Sequence, residues 1–257
     1  MGRIIAISNQ KGGVGKTSTC INFAAGLALK GKKVLVCDMD AQGNATTGLG
    51  ISKSEQRKSV YDVLINEVPA KSVIVPTKVD NLSVLPSSID LAGAEVELVS
   101  LKGREKRLAY ALSKVKDEYD YIIIDCPPAI GLLTINALTA ADGVLIPIQS
   151  EYYALEGLSQ LVNTIKLVVK ALNPSLTLEG VLITMYDGRA LISRQIKAEI
   201  ESYFGDKVFD TVIPRNIRVS EAPSYGVPVM IHDKRCRGAQ GYVAFVEEYL
   251  SRGGNQI

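Results

Sequence analysis

Arg3-Ile4-Ile5-Ala6-Ile7-Ser8-Asn9-Gln10-Lys11-Gly12-Gly13-Val14-Gly15-Lys16-Thr17-Ser18 sets an apolar, β-branched run against a glycine-rich turn and then the opening of a helical pattern at Lys16. Successive backbone N–H groups in such a turn form an anion-binding concavity, and the positive end of the following helix adds to it. Glycine is required because a Cβ would block close backbone approach and the positive φ values. The stretch therefore reads as a phosphate-binding loop. Its end, Gly15-Lys16-Thr17, has the expected form, but Gln10 stands where the pattern places its first glycine. An additional lysine, Lys11, sits inside the loop. An ammonium so close to the phosphates crowds its own loop, and can instead point outward to a phosphate held by a second copy of the chain.

The chain of 257 residues is 47% hydrophobic and 22% charged, within the range of ordinary globular proteins. No stretch approaches the run of about 18 apolar residues that a membrane helix needs, and the sequence passes straight into the loop without a signal-peptide pattern. A cytosolic location is expected. Cys20, Cys37, Cys126 and Cys236 lack the paired spacing of a zinc site and read as buried or incidental thiols. A formal charge of +2 gives little overall attraction to nucleic acid, so any such attraction must come from local clustering.

Further apolar runs recur at Val34–Cys37, Leu82–Leu85, Tyr121–Asp125, Val144–Ile148, Val181–Thr184 and Val208–Ile213. Several are nearly continuous, as expected of strands covered on both faces. Between them lie helical patterns at Lys16–Leu29, from about Leu91 to Val115, and at Leu133–Ala140, Leu155–Leu172 and Ile192–Phe204. This alternation predicts an α/β fold with a mostly parallel central sheet flanked by helices, and ligands beyond the carboxyl ends of the strands. No linker, repeat or low-complexity tract divides residues 1–257, so one domain is expected, with a frayed tail over 251–257.

Two acidic motifs follow the loop. In Asp38-Met39-Asp40-Ala41-Gln42-Gly43-Asn44, carboxylates two apart share a face if both lie on a strand, and both then look into the nucleotide site. In Tyr121-Ile122-Ile123-Ile124-Asp125-Cys126-Pro127-Pro128, apolar residues deliver one aspartate to a strand end. There it can hold Mg²⁺, directly or through water, opposite the Thr17 hydroxyl.

At these three motifs the sequence resembles the deviant-Walker P-loop ATPases, and specifically the ParA/Soj-type chromosome and plasmid partition ATPases. The likeness extends to Glu151-Tyr152-Tyr153-Ala154-Leu155-Glu156-Gly157 and to Val212-Ile213-Pro214-Arg215-Asn216-Ile217-Arg218-Val219-Ser220-Glu221-Ala222-Pro223, and spans about Arg3 to Leu250. It implies ATP and Mg²⁺ as ligands and an ATP-dependent homodimer. Within that implied site, Lys11 contacts the opposite subunit's nucleotide, Lys16 binds the β- and γ-phosphates, and Gly12, Gly13, Val14, Gly15 and Ser18 complete the cradle. Thr17 ligates the metal, Asp125 supports it through water, Asp40 orients or activates the attacking water, and Pro214 and Asn216 contact the adenine. Ala41 and Ser18 depart from the family's usual proline and threonine; neither removes a reacting group. A cation supplied in trans makes hydrolysis depend on pairing, so slow turnover is expected.

From Pro214 to Arg237, Arg215, Arg218, Lys234, Arg235 and Arg237 face only Glu221 and Asp233. Such clusters bind DNA phosphates without regard to sequence, and a dimer doubles the patch. The resemblance places Arg189 and Arg218 on that non-specific, double-stranded DNA surface, implies a ParB-type centromere-binding partner that stimulates hydrolysis, and implies association with the nucleoid. No helix-turn-helix segment precedes the first strand, so operator binding is not expected. The main alternative is a MinD-like membrane-surface ATPase, which requires a basic amphipathic C-terminal helix. Tyr242-Val243-Ala244-Phe245-Val246-Glu247-Glu248-Tyr249-Leu250 carries only acidic charges and reads as a core helix, so no membrane partner is expected. An iron–sulfur ATPase is a second alternative, for which Cys126 lacks a suitably placed companion. His232, the only histidine, has no assigned role.

Overall fold

The computed structural model describes residues 2–52, 57–151 and 154–254, and Tyr152 and Tyr153 of the motif beginning at Glu151 lie outside them. Eight strands form one sheet: β1 Arg3–Ile7, β2 Val34–Asp38, β3 Val75–Pro76, β4 Leu82–Leu85, β5 Tyr121–Asp125, β6 Gly143–Gln149, β7 Thr177–Tyr186 and β8 Val208–Pro214. Their order is β3-β4-β2-β5-β1-β6-β7-β8, and every pairing is parallel except that of the two-residue edge strand β3 with β4. The helices are α1 Lys16–Leu29, α2 Asn44–Gly48, α3 Val60–Ile65, α4 Leu91–Glu97, α5 Arg107–Ser113 and α6 Leu132–Ala140. They continue with α7 Ala154–Ala171, α8 Leu191–Phe204, α9 Ile217–Glu221, α10 Val229–His232 and α11 Arg237–Tyr249.

The continuous apolar strands are explained by two cores. Along β1, Ile4 and Ala6 enter one face and Ile5 and Ile7 the other; along β5, Ile122 and Ile124 oppose Tyr121 and Ile123 in the same way. One core lies beneath α3 to α8, the other beneath α1 and α11. The latter approach closely: a Cβ at Gly26 would stand 2.6 Å from Cγ2 of Val246, while Phe23 packs its ring against Phe245 and Tyr249 at 5.0 and 4.8 Å.

Two expectations are corrected. The helical stretch from Leu91 to Val115 is broken, because Gly103 takes a φ of +64° in a turn between α4 and α5, and short 3₁₀ turns follow each helix. The second carboxylate of the Asp38/Asp40 pair is not on a strand, since β2 ends at Asp38. After α11, Leu250–Gly254 continue as a π turn in which Arg252 donates to the carbonyls of Asp206 and Val208. The expectation of fraying at 255–257 falls outside the described residues. The C-terminal segment is a core helix, with Tyr242, Phe245, Val246 and Tyr249 buried.

Candidate functional site

Parallel register aligns Ile7, Asp38 and Asp125 at the carboxyl ends of β1, β2 and β5. The three motifs therefore leave the sheet side by side. After β1 the chain is pinned by the Asn9 amide, which donates to the Pro147 carbonyl at 2.7 Å and accepts from the Lys11 N–H at 3.0 Å. Gly13 and Gly15 then take φ values of +75° and +86°, which let the loop close around a hollow. Gly15 caps α1 without a side chain, so no side-chain oxygen competes for the first-turn amides. The Lys16 ammonium folds across the loop onto the Lys11 carbonyl at 3.0 Å. Lys16 is only 7% exposed, and burial lowers its pKa against the opposing pull of Asp125, Cys126 and Asp40.

The acids differ in their surroundings. Asp38 is fully buried and accepts from the Thr46 N–H and hydroxyl at 2.8 and 2.7 Å and from the Asp40 N–H at 3.2 Å. Burial pushes its pKa up to about 6 despite those bonds. It is a structural carboxylate fastening the turn that carries Asp40, a role the alternating acids alone did not reveal. Asp40, half-buried, accepts from the Gln42 N–H at 2.8 Å. Asp125 is also fully buried, with the Thr17 hydroxyl beside it but outside hydrogen-bond geometry to either oxygen. Burial and then the Asp38 carboxylate push its pKa well above the usual carboxylate range, while the Thr17 hydroxyl and the Lys16 ammonium act the other way. Two buried carboxylates beside a hydroxyl, one with both oxygens unmatched, suit a hard divalent cation that also takes oxygen from a phosphate or water.

Lys11 departs from the loop. Its ammonium pairs at 3.1 Å with Glu151, which also accepts from the Gln149 amide at 2.5 Å and lies 4.0 Å from Arg215. Glu151 belongs to a stretch noted in the sequence for its resemblance, but only the folded chain reveals this contact. Pro214 and Asn216 join Gly15, Ser18, Thr184 and Met185 in lining a cavity of about 260 Å³ beside the loop. The adenine-contact candidates and the loop thus meet although some 200 residues separate them. Arg189 and Arg218 follow the neighbouring strands β7 and β8, paired at Tyr186 and Pro214. The Arg189 side chain is 94% exposed and pairs with Asp187 at 3.4 Å, whereas that of Arg218 is 51% exposed and held by Glu221 at 2.8 Å and Asp233 at 3.8 Å.

Cys20, Cys37 and Cys126 are buried; the half-buried Cys236 caps α11 by accepting from the Ala239 N–H. Among the described residues no group of three His, Cys, Asp or Glu is placed to hold a metal, and no helix is long and apolar enough to cross a membrane.

Comparison with known proteins agrees with this geometry. Residues 2–178 match the family model described as an AAA domain. The sporulation initiation inhibitor protein Soj of Bacillus subtilis is 57% identical, covering 98% of this chain and 100% of its own length. The chromosome partitioning protein ParA of Myxococcus xanthus is 53% identical, covering 98% of this chain and 89% of its own. Among solved structures, cobyrinic acid a,c-diamide synthase from Mycobacterium smegmatis with bound ATP analogue and magnesium superposes with a TM-score of 0.88 at 36% identity, covering 100% of this chain and 98% of that one.

Proposed function

The chain belongs to the ParA/Soj family of chromosome-partitioning ATPases, and from that premise we propose that it is an ATP-dependent dimerising switch that grips non-specific DNA while paired. The observation that carries this reading is the contrast between the two lysines: Lys16 is buried across its own loop, while Lys11 is turned out of it onto Glu151. Lys16 serves the β- and γ-phosphates in its own subunit, and Lys11 is left for the nucleotide of a second copy. Gly12, Gly13, Val14, Gly15 and Ser18 form the cradle, and Pro214 and Asn216 face the base.

Thr17 and Asp125 would hold Mg²⁺, whose charge would offset that of the phosphates. Asp40, fastened through the Asp38 turn, orients the water that attacks the γ-phosphoryl group. Catalysis here is positioning and charge neutralisation, and it is complete only when a partner supplies its lysine. The paired state doubles a basic surface that includes Arg189 and Arg218, tying DNA binding to nucleotide. A ParB-type protein is the proposed stimulating partner, and the nucleoid the site of action.

Analytical ultracentrifugation with Mg·ATP, with ADP and without nucleotide tests the switch, alongside co-sedimentation with DNA and with anionic liposomes. The expected result is an ATP-only dimer that sediments with DNA and not with liposomes. Lys11→Ala is expected to abolish the dimer and lower turnover by at least about tenfold, roughly the worth of one charge in such a site. Unchanged pairing and turnover in that variant sink the proposal.

A further inference from the structure

The end of β7 touches the phosphate loop through residues outside the motifs. Thr184, 2% exposed, donates its hydroxyl to the Val14 carbonyl at 2.7 Å in a buried bond spanning 170 residues. The trans peptide joining Val14 to Gly15 points its C=O and N–H in opposite directions. Tying that carbonyl to β7 therefore turns the Gly15 N–H away from β7.

Met185 follows with a φ of +51°, in the left-handed region that side chains other than glycine, asparagine and aspartate seldom adopt. Such strain persists only where the surroundings enforce it, and it concentrates at ligand sites. Met185 lines the 260 Å³ cavity with Pro214 and Asn216, and its Cε lies 3.9 Å from where a Cβ on Gly15 would stand. The next residue, Tyr186, pairs with Pro214 and accepts from the Arg215 N–H, and Asp187 and Arg189 follow. One short segment thus runs from the loop, past the cavity, to the exposed arginine.

We infer that Thr184 and Met185 are nucleotide-positioning residues, the first fixing the loop for the triphosphate and the second supplying the wall against which the base rests. This deepens the proposed function and rests on its reading of the loop as an ATP site. The two residues act on different parts of one ligand, so they are separable. A thioether is soft and polarisable, suited to an aromatic base, while a hydroxyl that orients a carbonyl affects only phosphate binding.

Isothermal titration of the full chain with Mg·ATP and with Mg·tripolyphosphate tests this, with melting curves of the nucleotide-free proteins in parallel. Thr184→Val is expected to weaken both ligands by about three- to tenfold, the usual worth of one buried hydrogen bond, and Thr184→Ser to restore both. Met185→Ala is expected to weaken ATP by a similar factor and leave tripolyphosphate unchanged. Wild-type affinities in Thr184→Val, a Thr184→Ser as weak as Thr184→Val, or equal loss of both ligands in Met185→Ala each overturn the inference alone. A wild-type chain that takes up neither ligand overturns the ATP reading and this inference with it.

Discussion

Asp125 is buried with both carboxylate oxygens outside hydrogen-bond geometry, a cost to the nucleotide-free fold that the proposed cation would offset. Its neighbour Asp38 spends its oxygens on Thr46 and Asp40, so the two acids of one strand pair differ: one holds the turn, the other is the proposed metal carboxylate. A carboxyl whose pKa is raised on folding costs stability at neutral pH, and Asp125→Asn removes that cost while keeping the side-chain shape. Without nucleotide the variant is expected to melt about 2–4 °C higher, equivalent to relieving about 1 kcal/mol. It should also lose the stabilisation that Mg·ATP gives the wild-type chain. Differential scanning calorimetry with and without Mg·ATP measures both, and a lower melting point in the apo variant would contradict the assignment. At this scale the candidate groups were legible because glycine, lysine and strand-end aspartate carry their chemistry in their type and order. Glu151, Thr184 and Met185 were not, since a common residue acquires its role from a neighbour that the fold supplies.

Among the elements, α1 does two jobs. Its first turn faces the candidate phosphate hollow, and its middle, Ala24-Ala25-Gly26, lets α11 and α10 approach closely enough for Val246 and Met230, respectively, to meet Gly26. Gly26→Val would place its Cβ 2.6 Å from the Val246 side chain, so the helices must separate. Overpacking of this kind costs about 1–3 kcal/mol, read as a lower urea midpoint at unchanged slope. An unaltered midpoint would show that the contact yields freely. The terminal helix therefore serves as a wall for α1, in keeping with the burial of Tyr242, Phe245, Val246 and Tyr249. Element types followed from unbroken apolar runs and helical spacing, but the division of Leu91–Val115 did not. Helical periodicity continues on either side of Gly103, and only the packing of α4 and α5 on α6 decides where the chain turns.

For the molecule as a whole, a net charge of +2 gives little attraction to DNA by overall charge, so the proposed binding rests on where the cations gather. Arg189 and Arg218 rise at adjacent strand ends, each with an acidic neighbour in its own chain. Exposed pairs of this kind are weak and screened by salt, so phosphates can displace the acids at little cost. Arg189→Glu combined with Arg218→Glu is expected to abolish ATP-dependent DNA retention and to leave DNA-independent ATP turnover within about twofold. Filter binding over a range of salt concentrations and a phosphate-release assay check the two halves. Retained DNA binding in the double variant would move the interface elsewhere.

By itself the sequence determined the parallel α/β class, the phosphate loop, the order of the acids and the family, because each depends on local residue type and on spacing along one stretch. The tertiary structure alone decided that Lys11 leaves its loop for Glu151, that Asp38 is a fastener while Asp125 stays unmatched, and that Pro214 and Asn216 come to the loop beside Thr184 and Met185. Those facts depend on distance in space between groups far apart in the chain, and burial and hydrogen-bond geometry exist only after the strands have paired.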